Sequence, residues 1–310
     1  MKDLLNRIQL RHLRLIHSVN EVGQLSIAAD RLAITQPAAS RMLAEIETMV
    51  GKPLFVRNPK GMIATPIGEV LARHATSLLQ GLAATVNEVG AFATGKKGSV
   101  RVGSVTGAAV AYVVPAIQSL MLGSGGADVH IEVGPSDVLM AGLVNGDYDF
   151  ILSRVSPEND PRMFDIQHGR VETVEFLIRA EHPLAKINAP SITDLAGYNW
   201  VAQAPGTPMR QAVEETFFAN GVALPDEIIN TPSLLVMIAY VQNSDSISPI
   251  SSEVADLLVS SKVGGIRSIK IRKSIIISPY HLIQLKNVQS SPIAAQLRAR
   301  VIAALSANAL

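Results

Sequence analysis

Two helix-length patterns meet at an abrupt corner in the stretch AADRLAITQPAASRMLAEIE, residues 28–47, and no other feature constrains the fold of this chain as tightly. Ser26 offers an N-cap, and Ala28, Ala29 and Leu32 then fall on one side of a short helix that ends near Ala33. Thr35 caps the next helix, and Pro37 suits a first turn in which no amide partner is lost. Ala39, Leu43, Ile46 and Val50 recur at steps of 4, 3 and 4 residues, which defines a buried face. Pro37, Ser40, Arg41 and Ala44 therefore point outward with Gln36 at the helix start, a surface able to enter a groove. Taken alone, the pair also fits an ordinary αα-corner whose outer face is merely solvated.

The flanking sequence decides between these. Upstream, Leu10, Leu13, Ile16 and Val19 describe a third helix that can cover the corner. Downstream, Gly51 stops the second helix, Leu54 and Phe55 precede an NPKG turn, and Ile63 and Ala64 follow it. That is a two-stranded wing with Arg57 and Lys60 at its tip, so residues 1–65 are expected to form a winged helix-turn-helix. The same residues carry a resemblance to the LysR-type transcriptional regulators. The shared pattern comprises Ala28, Ala29, Leu32, Thr35, Gln36, Pro37, Ala38, Ser40, Glu47, Leu54, Phe55, Arg57, Thr65 and Gly68. Ile46 stands where leucine is commoner in that family and keeps the apolar role. The resemblance implies contacts to double-stranded DNA from Ser26, Arg31, Thr35, Gln36, Pro37, Ser40, Arg41, Arg57 and Lys60, with RNA polymerase a further candidate partner.

The charge distribution agrees. The formal net charge of the whole chain is only +1. Within residues 1–65, nine bases stand against five acids, which leaves +4 there and −3 in the remainder. The positive field is thus concentrated where phosphates would lie. There is no cysteine, so thiolate metal sites, disulfides and thiol redox sensing are excluded. MKDLLNRIQLRHLR lacks the apolar core of a signal peptide, and the run LLVMIAYV is too short to span a bilayer, so a cytoplasmic protein without membrane contact is expected.

Thr65 and Pro66 begin a long helix over residues 66–93. Ile67, Leu71, His74, Leu78, Leu82, Thr85 and Val89 recur at alternating steps of 3 and 4, a seam of period near 3.5. Periodicity allows either pairing with a second helix or packing on the chain's own domain, with His74 as a packed polar residue. The resemblance implies pairing, through Ile67, Leu71, His74, Leu78, Leu82 and Val89, in a homodimer or a homotetramer built as a dimer of dimers.

After a hinge at TGKKGS, the pattern alternates strand and helix. SVRVGSV, a helix over about 108–122, DVHIEVG, a helix over 136–145 and DFILSR form a βαβαβ unit with a parallel sheet. A second unit opens at ETVEFLIR and runs to about residue 258, and the chain returns through SIIISPYHLIQL to a final helix over about 291–305. The expected fold class is α+β multi-domain: an N-terminal winged helix-turn-helix, a linker helix, and over residues 98–310 a two-lobed α/β effector domain. That domain resembles the periplasmic-binding-protein architecture, with lobe I about 98–170 and 272–310 and lobe II about 171–271.

Open parallel sheets bind ligands beyond the carboxyl ends of their strands. The residues there are Ser104, Thr106, Gly107, Ser136, Arg154, Gln203, Gly206, Thr207, Ser248 and Pro249, each polar one also a candidate cap or turn residue. Hydroxyls, amides and one arginine point to a small polar anion such as a sugar acid, a hydroxy acid or an aromatic carboxylate. Arg154 follows Phe150 and Leu152 on one strand face, and certain carboxylate-sensing relatives carry arginine at the matching position; the bland alternative is pairing with Asp160 or another loop acid. An enzyme is not expected, because GSVTG has valine where a nucleophile elbow needs serine, and no dinucleotide or phosphate loop is present. A lone solute-binding module would need a secretion signal. No cofactor or metal is expected.

Overall fold

The computed structural model describes residues 7–59, 61–93, 98–123, 127–155, 159–260, 264–286, 288 and 290–307. The chain divides into two compact units. The first comprises Met1–Ser99 with Val144–Asp147 and Asn287–Ser291, and the second comprises Val100–Leu143, Tyr148–Lys286 and Pro292–Leu310.

In the first unit, α1 (Leu10–Val22), α2 (Leu25–Arg31) and α3 (Gln36–Val50) enclose a core, followed by β1 (Phe55–Asn58), β2 (Gly61–Ala64) and α4 (Pro66–Ala93). The apolar steps of 4 and 3 place Ala39, Leu43 and Ile46 inside, against Ile16, Val19, Leu25 and Ala28. Helix α2 begins two residues earlier than expected: Gln24 is its N-cap and Ser26 lies within the first turn, because the buried Leu25 must already be helical to reach the core. It ends at Arg31, and Ala33 takes a left-handed φ of 52° in the corner. Thr35 does cap α3, its side chain accepting the Ala38 amide at 3.4 Å, and Gly51 closes that helix at φ 77°.

Three residues dock the wing. Glu47 Oε1 accepts the Leu54 amide at 2.8 Å and the Phe55 amide at 3.4 Å, which ends the search of two backbone donors for partners. The Thr65 hydroxyl donates to the Pro53 carbonyl at 2.9 Å and accepts the Gly68 amide at 3.1 Å, so it both ties down the wing and caps α4. Gly68 passes so close to the Leu54 carbonyl that a Cβ would overlap it.

In the second unit, β3 (Ser99–Ser104) leads into helix α5, built of Thr106–Ala108, a π-helical turn Ala109–Val113, and Val114–Gly123. It starts two residues before the expected position. Next come β4 (Asp128–Val133), α6 (Ser136–Asn145) and β5 (Phe150–Ser153), with β3 and β5 parallel as the βαβ pattern requires. The two longest strands are β6 (Phe164–Arg179) and β11 (Ile275–Leu285). They pair antiparallel from Ile275↔Val174 to Leu285↔Phe164, with irregularities on either side of Tyr280.

Strand β6 starts several residues before the apolar run that announced it. The larger sheet is mixed rather than parallel and runs β10-β6-β11-β5-β3-β4, with β9 (Ser248–Ser251) also on β6 and β10 covering Ile266–Ile269, while Trp200–Ala202 and Ile228–Asn230 pair parallel in a separate two-stranded sheet. Strand β10 (Ile266–Ile269) had no counterpart in the sequence pattern. Around it are β7 (Trp200–Ala202), α7 (Pro208–Ala219), β8 (Ile228–Asn230), α8 (Leu234–Gln242), β9 (Ser248–Ser251), α9 (Ser252–Ser260) and the closing α10 (Pro292–Ala307).

Alternation along β6 feeds two cores: Val174, Phe176 and Ile178 on one face, Leu177 on the other. Trp200 packs edge-on to both Phe176 and Phe217, with ring centroids 5.6 and 5.4 Å away. No helix among the described residues is long and apolar enough to cross a membrane.

Removing the Glu47 carboxylate strands the amides of Leu54 and Phe55, a loss of roughly 1–3 kcal/mol in local stability. Hydrogen exchange of Glu47→Ala should therefore speed up in β1 and β2 while β5 and β6 keep their protection. Unchanged exchange in the wing would refute this role for Glu47.

Candidate DNA-reading surface and effector cleft

On the first unit, Gln36, Pro37, Ser40 and Arg41 are exposed together on the outer side of α3, opposite its buried stripe. Thr35 and Ser26 are exposed beside them. Arg41 makes only a long 3.4 Å contact from Nε to the Pro37 carbonyl, which leaves its guanidinium facing solvent. Arg31 is different: it is ion-paired to Glu21 at 2.7 Å, so part of its charge is spent within the protein. Arg57 is exposed on β1. Lys60 lies outside the described residues.

Helix α4 has two unlike faces. Gly68, Ala72 and Ala75 are buried, and Leu71, half-buried, packs with them on the core of the same unit. Ile67, His74, Leu78, Leu82, Thr85 and Val89 are exposed, with Val70 and Val86 beside them. His74 stands on this outer face among them. His17 on α1 meets Thr76 of α4 at 2.9 Å, which fixes the inner face.

Between the two lobes of the second unit lies a cleft of about 390 Å³. Of the ten expected residues, Thr106, Gly107, Ser136, Arg154, Gln203, Thr207 and Pro249 line it. Ser104 does not: it is fully buried, and its hydroxyl donates to the Val105 carbonyl at 3.0 Å. Ser248 is likewise fully buried and not part of the lining, and Gly206 sits in a turn at φ 86°. Thr207 is the N-cap of α7 without a side-chain cap bond, its hydroxyl donating to the Ala204 carbonyl at 2.9 Å instead.

Most of the remaining wall is aliphatic: Val105, Val133, Met209, Leu234, Met237, Ile250, Val254 and Ile277, with Pro135, Pro208 and Pro232.

The residues missed are Glu172 and Ser251. Glu172, on β6, is ion-paired with Arg154, and both side chains are largely buried, at 4% and 12% exposure. Arg154 Nε also donates to the Ser278 carbonyl of β11 at 2.8 Å, so one guanidinium ties the end of β5 to both long strands. The expected alternative partner, Asp160, binds Arg162 instead, at 2.8 Å. A carboxylate-holding arginine was expected, and this one already has its carboxylate.

Burial holds the Glu172 carboxyl above the usual carboxylate range, opposed by Arg154 and reinforced by Glu253. Tyr280, buried nearby, has its phenol pushed well up, first by burial and then by Tyr112, Glu253 and Glu172. No group of three or more metal-ligating side chains occurs among the described residues.

Residues 10–69 match the family model described as bacterial regulatory helix-turn-helix protein, lysR family, and residues 93–306 match that of the LysR substrate binding domain. The chain is 38% identical to the HTH-type transcriptional regulator GbpR of Rhizobium radiobacter, over 80% of this chain and 83% of that one. It is 33% identical to GbpR of Azospirillum brasilense, over 92% and 83%. Similar solved folds are ArgP from Mycobacterium tuberculosis, with TM-score 0.63 at 18% identity over 97% and 98%, and full-length CbnR complexed with its target DNA, with TM-score 0.56 at 18% identity over 96% and 100%.

The folded pKa of Glu172 lies above its unfolded value. Its ionisation therefore costs stability, a cost absent below the unfolded pKa and felt as pH rises through the folded one. Arg154→Met removes the compensating charge and raises that folded value further. The variant should lose roughly 3–5 kcal/mol at pH 7.5 and much less at pH 5. Thermal melts showing the same deficit at both pH values would mean that the pair is not what Arg154 supports.

Proposed function

Because this chain belongs to the LysR family of helix-turn-helix transcriptional regulators, we propose that residues 1–65 read an operator, residues 66–93 join copies of the chain, and residues 98–310 bind a small effector that switches promoter activity. It is a DNA-binding regulator with an effector-binding domain, not an enzyme, and a regulator of chromosomal promoters works in the cytoplasm. The observation that carries this reading is the split face of α3, with Ala39, Leu43 and Ile46 inside and Gln36, Pro37, Ser40 and Arg41 outside. Base edges are read by such a face, while the local charge of +4 supplies phosphate attraction. GbpR and CbnR are named as regulators of this kind, CbnR in a complex with its target DNA.

The exposed stripe of α4 supports pairing with a second copy, as a homodimer or a dimer of dimers. Ile67, Val70, Leu78, Leu82, Val86 and Val89 form an apolar row along a helix whose other side is already occupied. The cleft supports the effector role: its volume suits a small metabolite, and polar groups from both lobes converge on an otherwise aliphatic wall. The small polar anion suggested by the lone arginine loses its main support, since Glu172 neutralises that arginine.

Arg41→Ala should relax base preference as well as weaken binding, since one bidentate pair to guanine is worth about 1–3 kcal/mol. A site-selection assay returning the wild-type consensus would remove Arg41 from base reading. Arg57→Ala should leave the consensus alone and lower the salt dependence by about one unit of log–log slope; an altered base position with an unchanged slope would show the wing reading bases. Leu78→Glu should shift sedimentation toward the monomer, and an unaltered oligomer with intact operator affinity would leave α4 without a pairing role.

A further inference from the structure

Where the cleft could offer an acid its best anchor, the chain supplies a carboxylate of its own. Glu172 Oε2 pairs with Arg154, and Oε1 lies so near Gly107 that a Cβ there would overlap it. Gly107 is in the first turn of α5, so the Glu172 carboxylate sits by the positive end of a helix. Glu253, in the first turn of α9, has its Oε2 3.2 Å from that same Cβ position and accepts the Ser252 hydroxyl at 3.3 Å.

The guanidinium and two helix starts therefore already face two carboxylates. An independent observation marks the spot as a ligand site. Ser251 is 2% exposed and lines the cleft, with its Oγ 2.7 Å from the Gly107 Cβ position. That oxygen has no hydrogen-bond partner among the described residues. Buried hydroxyls are seldom left so.

We propose that the cleft takes an uncharged polyhydroxylated molecule, a sugar or polyol, whose hydroxyls donate to Glu172 and meet Ser251, with Glu172, backed by the nearby charge of Glu253, acting as a built-in carboxylate that turns acids away. This rests on the cleft being the effector site. Glu172 and Glu253 outnumber Arg154, so a third carboxylate entering here meets like charge in a poorly solvated corner. An ammonium is drawn by the carboxylates but repelled by Arg154, and with no lone pair it cannot accept from Ser251, Thr106 or Gln203. A hydroxyl suits the groups that line the cleft, because it donates to Glu172 and accepts from Ser251, Thr106 or Gln203. The aliphatic and proline wall covers the C–H face of such a ligand without demanding further polar partners.

The test is calorimetry of the full chain against aldopentoses, aldohexoses and alditols, each sugar with its aldonic acid and its amino-sugar counterpart. At least one neutral member should bind wild type about tenfold or more tighter than its acid and amine partners, the scale of a charge-assisted hydrogen bond. Glu172→Gln should reverse this, weakening the neutral ligand and strengthening the acid by a similar factor. If that variant does not fold, Glu253→Gln at the start of α9 should narrow the preference in the same direction.

Binding of acids or amines in preference to neutral compounds by wild type, or no binding of any neutral member, overturns the ligand class. Leu234→Trp, which fills the cleft, separates the two levels. A ligand of any class that still binds this variant lies elsewhere and overturns the cleft reading itself. An acid preference that Leu234→Trp abolishes overturns only the sugar or polyol.

Discussion

The ion pair of Arg154 with Glu172 is the constraint around which the second unit is arranged. Neither charge has much water, and each is tolerable only because the other is there. Removing two charges from solvent costs about as much as their attraction returns, so the pair specifies geometry more than it adds stability. What it specifies is a junction: the end of β5 is held to β6 through Glu172 and to β11 through the Ser278 carbonyl. Those strands are the two that pass from lobe to lobe. The irregular pairing around Tyr280 frees the carbonyl that Arg154 uses, and Gly169 allows the Tyr280 backbone to approach where any Cβ would collide. Gly107 has the same logic, since a side chain there would strike Glu172 and Ser251.

The first unit shows a complementary division of labour among its motif residues. Glu47, Thr65 and Gly68 touch no groove; they satisfy or make room for the backbone of Pro53, Leu54 and Phe55, and so set where the wing stands relative to α3. His12 is nearly fully buried and accepts the Gln9 amide at 3.1 Å, closing the start of α1, and burial lowers its pKa. The residues left facing water, Gln36, Ser40 and Arg41, are those without such structural duties. Reading requires side chains that the fold does not need.

Helices with long periodic stripes were legible in the sequence because their buried faces depend only on local spacing: α1, α3, α4 and α6 stand close to where their patterns put them. Ser26 misled as a cap because capping propensity is weaker than the demand to bury Leu25. Strand ends located most of the cleft, but not which way a residue faces, and so Ser104 and Ser248 turned out to be core. Glu172 did carry a signal. It shares the period-two face of Val174, Phe176 and Ile178, and a carboxylate on an apolar face asks for a partner. Its partner is 18 residues away in sequence, beyond the reach of any local pattern. Strand β10 was missed because four residues on a sheet edge, only one of them buried, leave almost no alternation to read.

Helix α4 carries the same question from the opposite side, that of a surface with too few partners. Its 28 residues rise to roughly 42 Å at 1.5 Å each. Its first turns lie on the core of the same unit through the small Gly68, Ala72 and Ala75, with Leu71 and Leu79 packed beside them. Further along, Leu78, Leu82, Val86 and Val89 are 42–62% exposed. Burying one such side chain is worth about 1.5–3 kcal/mol, so a row of them outweighs the ordinary tolerance of single exposed apolar residues. A helix packed on its own domain over its first turns, and still apolar where it runs beyond them, is built to serve two partners at once. Leu78 and Leu82 stand 7 and 11 residues beyond Leu71 and so on nearly the same side of the helix, which lets a second copy continue the stripe that Leu71 begins while the contacts of Ala72, Ala75 and Thr76 stay undisturbed.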